Sequence, residues 1–307
     1  MSLTTRVGSL ELANPILSAS GTFGHGLEME HFVPPECLGA WVSKTVTVVP
    51  RKGNPAPRIR ETEAGFLNSI GLENRGVAAY IAEVLPKLRG LTVPIVTNIG
   101  GETPDAFVEA AELLTGFDEI AAFEVNLSCP NVDGGKLPFA TDPPVAEGIM
   151  AQLRKVTDKP LYAKLSPNVS RIADMAKAVE SGGADGITAV NTLLGMQVDW
   201  ATGRFGLATR MGGYSGTAIK PVALRCAYEC VQAVEIPIIG CGGISTAADV
   251  LEFLAVGCSA VQVGTASFSD PGLLSHLAQD VADLLQANGE ESVRDVIGRV
   301  NRVPAKV

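Results

Sequence analysis

Amide, hydroxyl and ammonium side chains recur at one kind of place in this 307-residue chain, the C-terminal ends of short apolar runs. Ser20 follows the first run, Lys44 and Thr45 lie on the second, and Asn98 and Asn126 lie on the third and fourth. Lys164 comes on the fifth, and Asn191 and Thr192 close the sixth. Any one of these has a structural explanation, since Asn caps turns and Lys snorkels to solvent. Polar ends on several successive strands point instead to a shared site that orients a small polar ligand. Cys129 opens the loop after Asn126 and precedes Asn131. A lone cysteine is most often packing, but a loop thiol between two amides, with a free pKa of about 8.5, can take a proton if its surroundings tune it.

The seventh and eighth runs end in glycine, as Cys241-Gly242-Gly243-Ile244 and Gly264-Thr265. Such glycines let an anion approach backbone N–H groups, and Ser245 opens a helix whose N-terminus favours negative charge. Tight turns would explain either loop alone. Both falling after these two strands predicts a phosphate site. A phosphate site together with a lysine at the same end suggests FMN, although these residues alone admit a sugar phosphate as well.

The elements that must position these groups are legible as alternating runs. Residues 15–20, 40–47, 94–100, 121–128, 160–166, 186–192, 237–243 and 260–266 are short, largely apolar and unalternating, as strands buried on both faces should be. Helical stripes fall between most of them. Val77, Tyr80, Ile81, Val84, Leu85 and Leu88 form one, in which Pro86 predicts a kink. Thr103 and Pro104 start another, Ser170 is placed to cap a third that Gly182 and Gly183 close, and Ser245 or Thr246 caps a fourth. This alternation predicts an α/β chain folded as a (β/α)8 TIM barrel, one FMN-binding domain over residues 1–307. An open doubly wound sheet is the runner-up, without a G-x-G-x-x-G to support it. Residues 6–13 read as a hairpin plugging the barrel bottom. The connections 48–75, 129–144 and 193–221 are too long for simple turns and predict extended loops over the C-terminal face.

Composition narrows the class. Lys and Arg number 24 against 33 Asp and Glu, a net charge of −9, and no basic run exists to bind a nucleic-acid backbone. No apolar stretch is long enough for a membrane span, and the start lacks the apolar core of a secretory signal. The six cysteines are scattered, and the three histidines make no pattern, so neither disulfides nor a metal site are expected. A cytoplasmic protein is expected.

Asn126-Leu127-Ser128-Cys129-Pro130-Asn131, with Ser43-Lys44-Thr45, Asn68-Ser69-Ile70-Gly71-Leu72-Glu73-Asn74, Lys164-Leu165-Ser166-Pro167 and Gly212-Gly213-Tyr214-Ser215-Gly216, resembles the class I dihydroorotate dehydrogenases over essentially the whole chain. The resemblance implies an FMN barrel that oxidises (S)-dihydroorotate to orotate in pyrimidine (UMP) biosynthesis. It assigns Cys129 as the base that takes the C5 proton while hydride leaves C6 for the flavin. Lys44, Asn68, Ser69, Ile70, Gly71, Leu72, Asn126, Asn131, Asn191 and Thr192 would hold the substrate. Amides suit a ring of alternating N–H and C=O groups. Ser20, Gly21, Lys44, Thr45, Asn98, Asn126, Lys164, Val190 and Gly216 would line one FMN per chain, with Gly242, Gly243, Gly264 and Thr265 on its phosphate.

Residues 191–196, 219–221 and 260–265 further resemble the heteromeric NAD-linked subgroup. That subgroup implies a homodimer of this chain within a heterotetramer, whose partner subunit carries FAD and a 2Fe–2S cluster. Alternatives are a homodimeric form that reduces fumarate, a flavin-dependent pyrimidine reductase, and a catalytically silent phosphate-ligand binding subunit.

Overall fold

The computed structural model describes residues 1–128 and 139–302. Eight parallel strands form the central sheet: β1 (Ile16–Ser18), β2 (Trp41–Val42), β3 (Ile95–Ile99), β4 (Ala122–Asn126), β5 (Leu161–Leu165), β6 (Gly186–Ala189), β7 (Ile238–Cys241) and β8 (Ala260–Val263). Neighbours in the ring follow chain order, and β8 pairs with β1. A parallel bridge between Leu17 and Ala40, with Gly39 N–H donating to the Ile16 carbonyl at 2.8 Å, joins β1 to the start of β2 and closes the barrel.

The strands are shorter than the apolar runs because the flanking residues already turn. β2 shrinks most because the backbone turns aside at Lys44, whose N–H donates to the Gly24 carbonyl at 2.7 Å, before it rejoins β3 at the Val46–Ile99 bridge. Helices such as Pro104–Leu114, Pro143–Val156, Lys220–Ala233 and Leu273–Ala287 bury their apolar faces on the outside of the ring. The stripe containing Pro86 is helical over 76–88, with a π turn at Tyr80–Val84 where the ring nitrogen of Pro86 has no proton to give. Thr103 caps as expected, accepting from Ala106 N–H. Ser170 does not cap its helix, because Arg171 occupies the cap position and Ile172–Ser181 follows it directly.

Inside the barrel the period of two stacks an apolar layer under a polar one. Val7, Leu12, Leu17, Val42, Val96, Ala122, Tyr162, Ile239 and Ala260 pack together at the bottom. The hairpin formed by Thr5–Val7 and Leu10–Leu12 plugs that end, and the Tyr162 hydroxyl donates to the Val7 carbonyl at 2.9 Å. Two residues further along the strands come Asn98, Glu124, Lys164, Thr188, Cys241 and Gln262, all buried. Over the opposite end lies a four-stranded antiparallel sheet from two of the long connections, in the order Leu193–Met196, Met211–Ser215, Gly65–Asn68 and Ile59–Thr62.

Candidate active site

A cavity of about 410 Å³ lies between the polar layer and the antiparallel sheet. It gathers groups from all eight strand ends. Ser20 and Gly21 come from after β1, Lys44 and Thr45 from after β2, Asn98 from β3, Asn126 from β4 and Lys164 from β5. Val190, Asn191 and Thr192 follow β6, Gly242 and Gly243 follow β7, and Gly264 and Thr265 follow β8. The covering loops add Asn68, Ile70, Gly71, Leu72 and Gly216. Ser69 does not line the cavity: it is fully buried, and its hydroxyl accepts from Asn54 Nδ2 at 2.8 Å. Cys129 and Asn131 lie outside the described residues.

The amides are held by one another and by the strand ends. Asn126 Nδ2 donates to Thr45 Oγ1 at 3.4 Å, while its Oδ1 accepts from Ser128 Oγ at 3.0 Å and from Asn191 Nδ2 at 3.5 Å. Asn191 Nδ2 also donates to Ser128 Oγ at 2.7 Å, and its Oδ1 accepts from Thr192 N–H at 2.8 Å. Side chains restrained in this way are preorganised for a polar ring. The Gly71–Leu72 turn needs two successive left-handed residues, at φ 76° and 57°. Asn74 secures it by donating to the Leu72 carbonyl and to Thr47 Oγ1, both at 2.8 Å.

The floor carries a charged network that the sequence reading did not anticipate. Glu124, fully buried, accepts from Asn98 Nδ2 at 2.6 Å and Lys164 Nζ at 3.3 Å on one oxygen. Its other oxygen accepts from Thr188 Oγ1 at 2.8 Å and from Gln262 Nε2. Lys164 Nζ donates in turn to Gln262 Oε1 at 3.0 Å. Burial is the largest single influence and works against the Lys164 charge, but the Glu124 charge, the Cys241 sulfur and the Glu124 hydrogen bond together hold the ammonium pKa above its ordinary value. Burial likewise pushes the Cys241 thiol up, which keeps it neutral beside Lys164. The sign that was available in the sequence is parity. A glutamate inside the run 121–128, two residues before Asn126, must share its inward face.

Asn98 Oδ1, on a fully buried side chain in the cavity wall, has no hydrogen-bond partner among the described residues. An unpaired buried acceptor is costly, so this oxygen marks where a ligand donor belongs. The Gly242–Gly243 corner, at φ 126° and 77°, presents bare backbone to the same cavity. The helix beyond contributes less to an anion than expected. Thr246 is its cap, and the Asp249 carboxylate already takes the N–H groups of Ser245 and Thr246, both at 2.9 Å. Lys220 Nζ, 2.6 Å from Asp249, balances that carboxylate. An anion at this corner would therefore meet the glycine backbone rather than the N–H groups of Ser245 and Thr246.

No helix among the described residues is long and apolar enough to cross a membrane, and no metal-binding group of His, Cys, Asp and Glu occurs among them. The backbone is similar to DHODH from Eimeria tenella, crystallised with ferulenol, with a TM-score of 0.82 over 98% of this chain and 89% of that one; at 22% identity this likeness speaks for the fold. A protein of Trichlorobacter lovleyi named dihydroorotate dehydrogenase B (NAD(+)), catalytic subunit, is 47% identical over 296 residues, covering 96% of this chain and 97% of its own length. A Geobacillus kaustophilus protein of the same name is 48% identical over 297 residues, covering 97% and 95%. The family model for dihydroorotate dehydrogenase matches residues 2–285. With the barrel, the loop sheet and the converging amides in place, that match settles the lineage: the chain belongs to the dihydroorotate dehydrogenase family.

Proposed function

We propose that this chain oxidises (S)-dihydroorotate to orotate in pyrimidine biosynthesis, in the cytoplasm, as one FMN-binding barrel. The observation that carries the reading is the cavity floor, where the unpaired Asn98 Oδ1 and the Lys164 ammonium face one space. A flavin pyrimidine edge offers an N–H and carbonyl oxygens to match them, and the glycine corners after β7 and β8 leave room for its phosphate. The residues present therefore fit FMN. The chemistry that FMN supplies when bound is acceptance of a hydride from the substrate.

This chain's residues do the rest. Asn68, Asn126, Asn191 and Thr192 orient the substrate ring, each amide offering both a donor and an acceptor. Lys44 balances the substrate carboxylate from the β2 side. Cys129 takes the C5 proton, a role carried by the family resemblance. The covering sheet excludes water, which strengthens each of these polar contacts. The names of the relatives support an NAD-linked assembly with a separate subunit; by the family resemblance, that partner carries FAD and a 2Fe–2S cluster, accepts the electrons, and joins two copies of each chain in a heterotetramer.

The test is to release the flavin from purified protein and identify it. One FMN per chain, with orotate formed from dihydroorotate in the presence of an artificial acceptor, is expected. A chain that neither carries nor takes up FMN overturns the reading. Co-purification of an FAD-containing second chain separates the NAD-linked assembly from the fumarate-reducing homodimer.

A further inference from the structure

We propose that Glu124 is a positioning residue of the cavity floor: its carboxylate fixes Lys164 and Asn98 so that a cation and a carbonyl oxygen face the ligand together. The choice of FMN as probe rests on the function proposed above.

The carboxylate accepts from four donors on four other strands, Asn98 on β3, Lys164 on β5, Thr188 on β6 and Gln262 on β8. A carboxylate offers acceptors only, so Asn98 must turn its NH2 toward it. Its Oδ1 is then left for the cavity, where no described residue meets it. Gln262 is oriented in the same way, with Nε2 to Glu124 and Oε1 to Lys164. Lys164 spends two donors on these neighbours and keeps a third for the ligand. The edge that complements such a floor is a ring imide or ureide, an N–H beside an oxygen that gains negative charge.

A neutral amide at position 124 changes both signals. Asn98 becomes free to flip and present NH2 instead, and Lys164 loses the opposite charge that offsets its burial. The titratable groups facing Lys164 are Glu124 on β4 and the Cys241 thiol on β7, and burial keeps that thiol protonated.

The test uses the FMN-free chain in two measurements. FMN affinity is read by quenching of flavin fluorescence between about pH 6.5 and 9.5, and Lys164 is titrated by NMR with no ligand present. Glu124→Gln is expected to weaken FMN binding on the order of tenfold near pH 7, with the deficit relative to wild type widening as pH rises. Lys164 loses its proton at lower pH in that variant, and Glu124→Asp, which keeps the charge, restores both signals. In a Lys164→Met background the same substitution costs less than it does alone. Wild-type affinity at every pH, or an equal deficit in both backgrounds, overturns the proposal. Should wild type bind no FMN, the flavin reading fails, and the Lys164 titration alone decides for Glu124; an unchanged titration rejects it. Should Glu124→Gln not fold, the pair Glu124→Gln/Lys164→Met leaves no buried charge alone and is expected to bind FMN within a few-fold of Lys164→Met, the remainder being the freed Asn98. A tenfold deficit beyond that single variant rejects the proposal.

Discussion

Asn68 Nδ2 donates to the Gly213 carbonyl at 3.3 Å, and the two residues face each other across the antiparallel ladder that roofs the cavity. One comes from the long connection after β2 and the other from the connection after β6. Loops far apart in sequence are thus stitched into one cover, and a candidate substrate amide is part of the seam.

Gly213 also packs closely against Thr192. A Cβ there would lie 2.1 Å from Thr192 Oγ1 and 2.7 Å from its Cβ. Gly213→Ala is expected to push Thr192 and the ladder apart, raising KM for dihydroorotate by about tenfold or more while FMN stays bound. Steady-state kinetics alongside flavin content check this. An unchanged KM would mean that the sheet does not position substrate.

Lys164→Ala strips a buried carboxylate of its counter-charge. Breaking such a pair costs about 3–5 kcal/mol, so denaturant stability should fall by that order. Flavin content after gel filtration should fall with it, because the floor loses its cation. A variant with wild-type flavin content and midpoint potential would show that Lys164 serves the fold alone.

Alkaline pH should destabilise the chain through its buried thiols. Burial raises the pKa of Cys226, Cys230, Cys241 and Cys258 above that of a free thiol. A raised folded pKa means that stability is full below the unfolded value and drains as pH climbs past it. The loss therefore begins near pH 9, at about 1.4 kcal/mol per pH unit for each group until its folded pKa is reached. Lys164, also raised, drains stability in the same direction at higher pH. Urea titrations under reducing conditions at pH 7.5 and 10 measure the difference. A flat profile would mean that these thiols ionise as readily in the folded chain as in the unfolded one.

The barrel was legible because β-type runs buried on both faces leave little else to build, and each polar strand end was found by its place at the end of a run. Glu124 escaped because a charged residue amid Ala122, Phe123 and Val125 carries no end-of-run signal, and its partners Thr188 and Gln262 are a sequence apart. The glycine corner after β7 was half legible. Gly242 and Gly243 announced it, and Thr246-x-x-Asp249 carries the local pattern of a capping box, but the reach of Asp249 to Ser245 and its pairing with Lys220 depend on tertiary placement. Ser69 was carried along by its neighbours Asn68 and Ile70, yet the strand turns its hydroxyl to Asn54 instead.

Cys129→Ser bears on the base. The variant is expected to keep FMN but to lose at least about a hundredfold in the rate of flavin reduction near neutral pH, the scale of a general-base contribution. Stopped-flow absorbance gives that rate directly, and a wild-type value from the variant would remove Cys129 from the mechanism.

The most direct test of the whole account is an anaerobic visible spectrum of the purified chain before and after adding dihydroorotate. Flavin bands near ~450 nm that bleach on addition are the expected result, since one cavity is held to bind both cofactor and substrate. Bands that persist would contradict the substrate assignment, and a colourless protein that also refuses added FMN would contradict the flavin site itself.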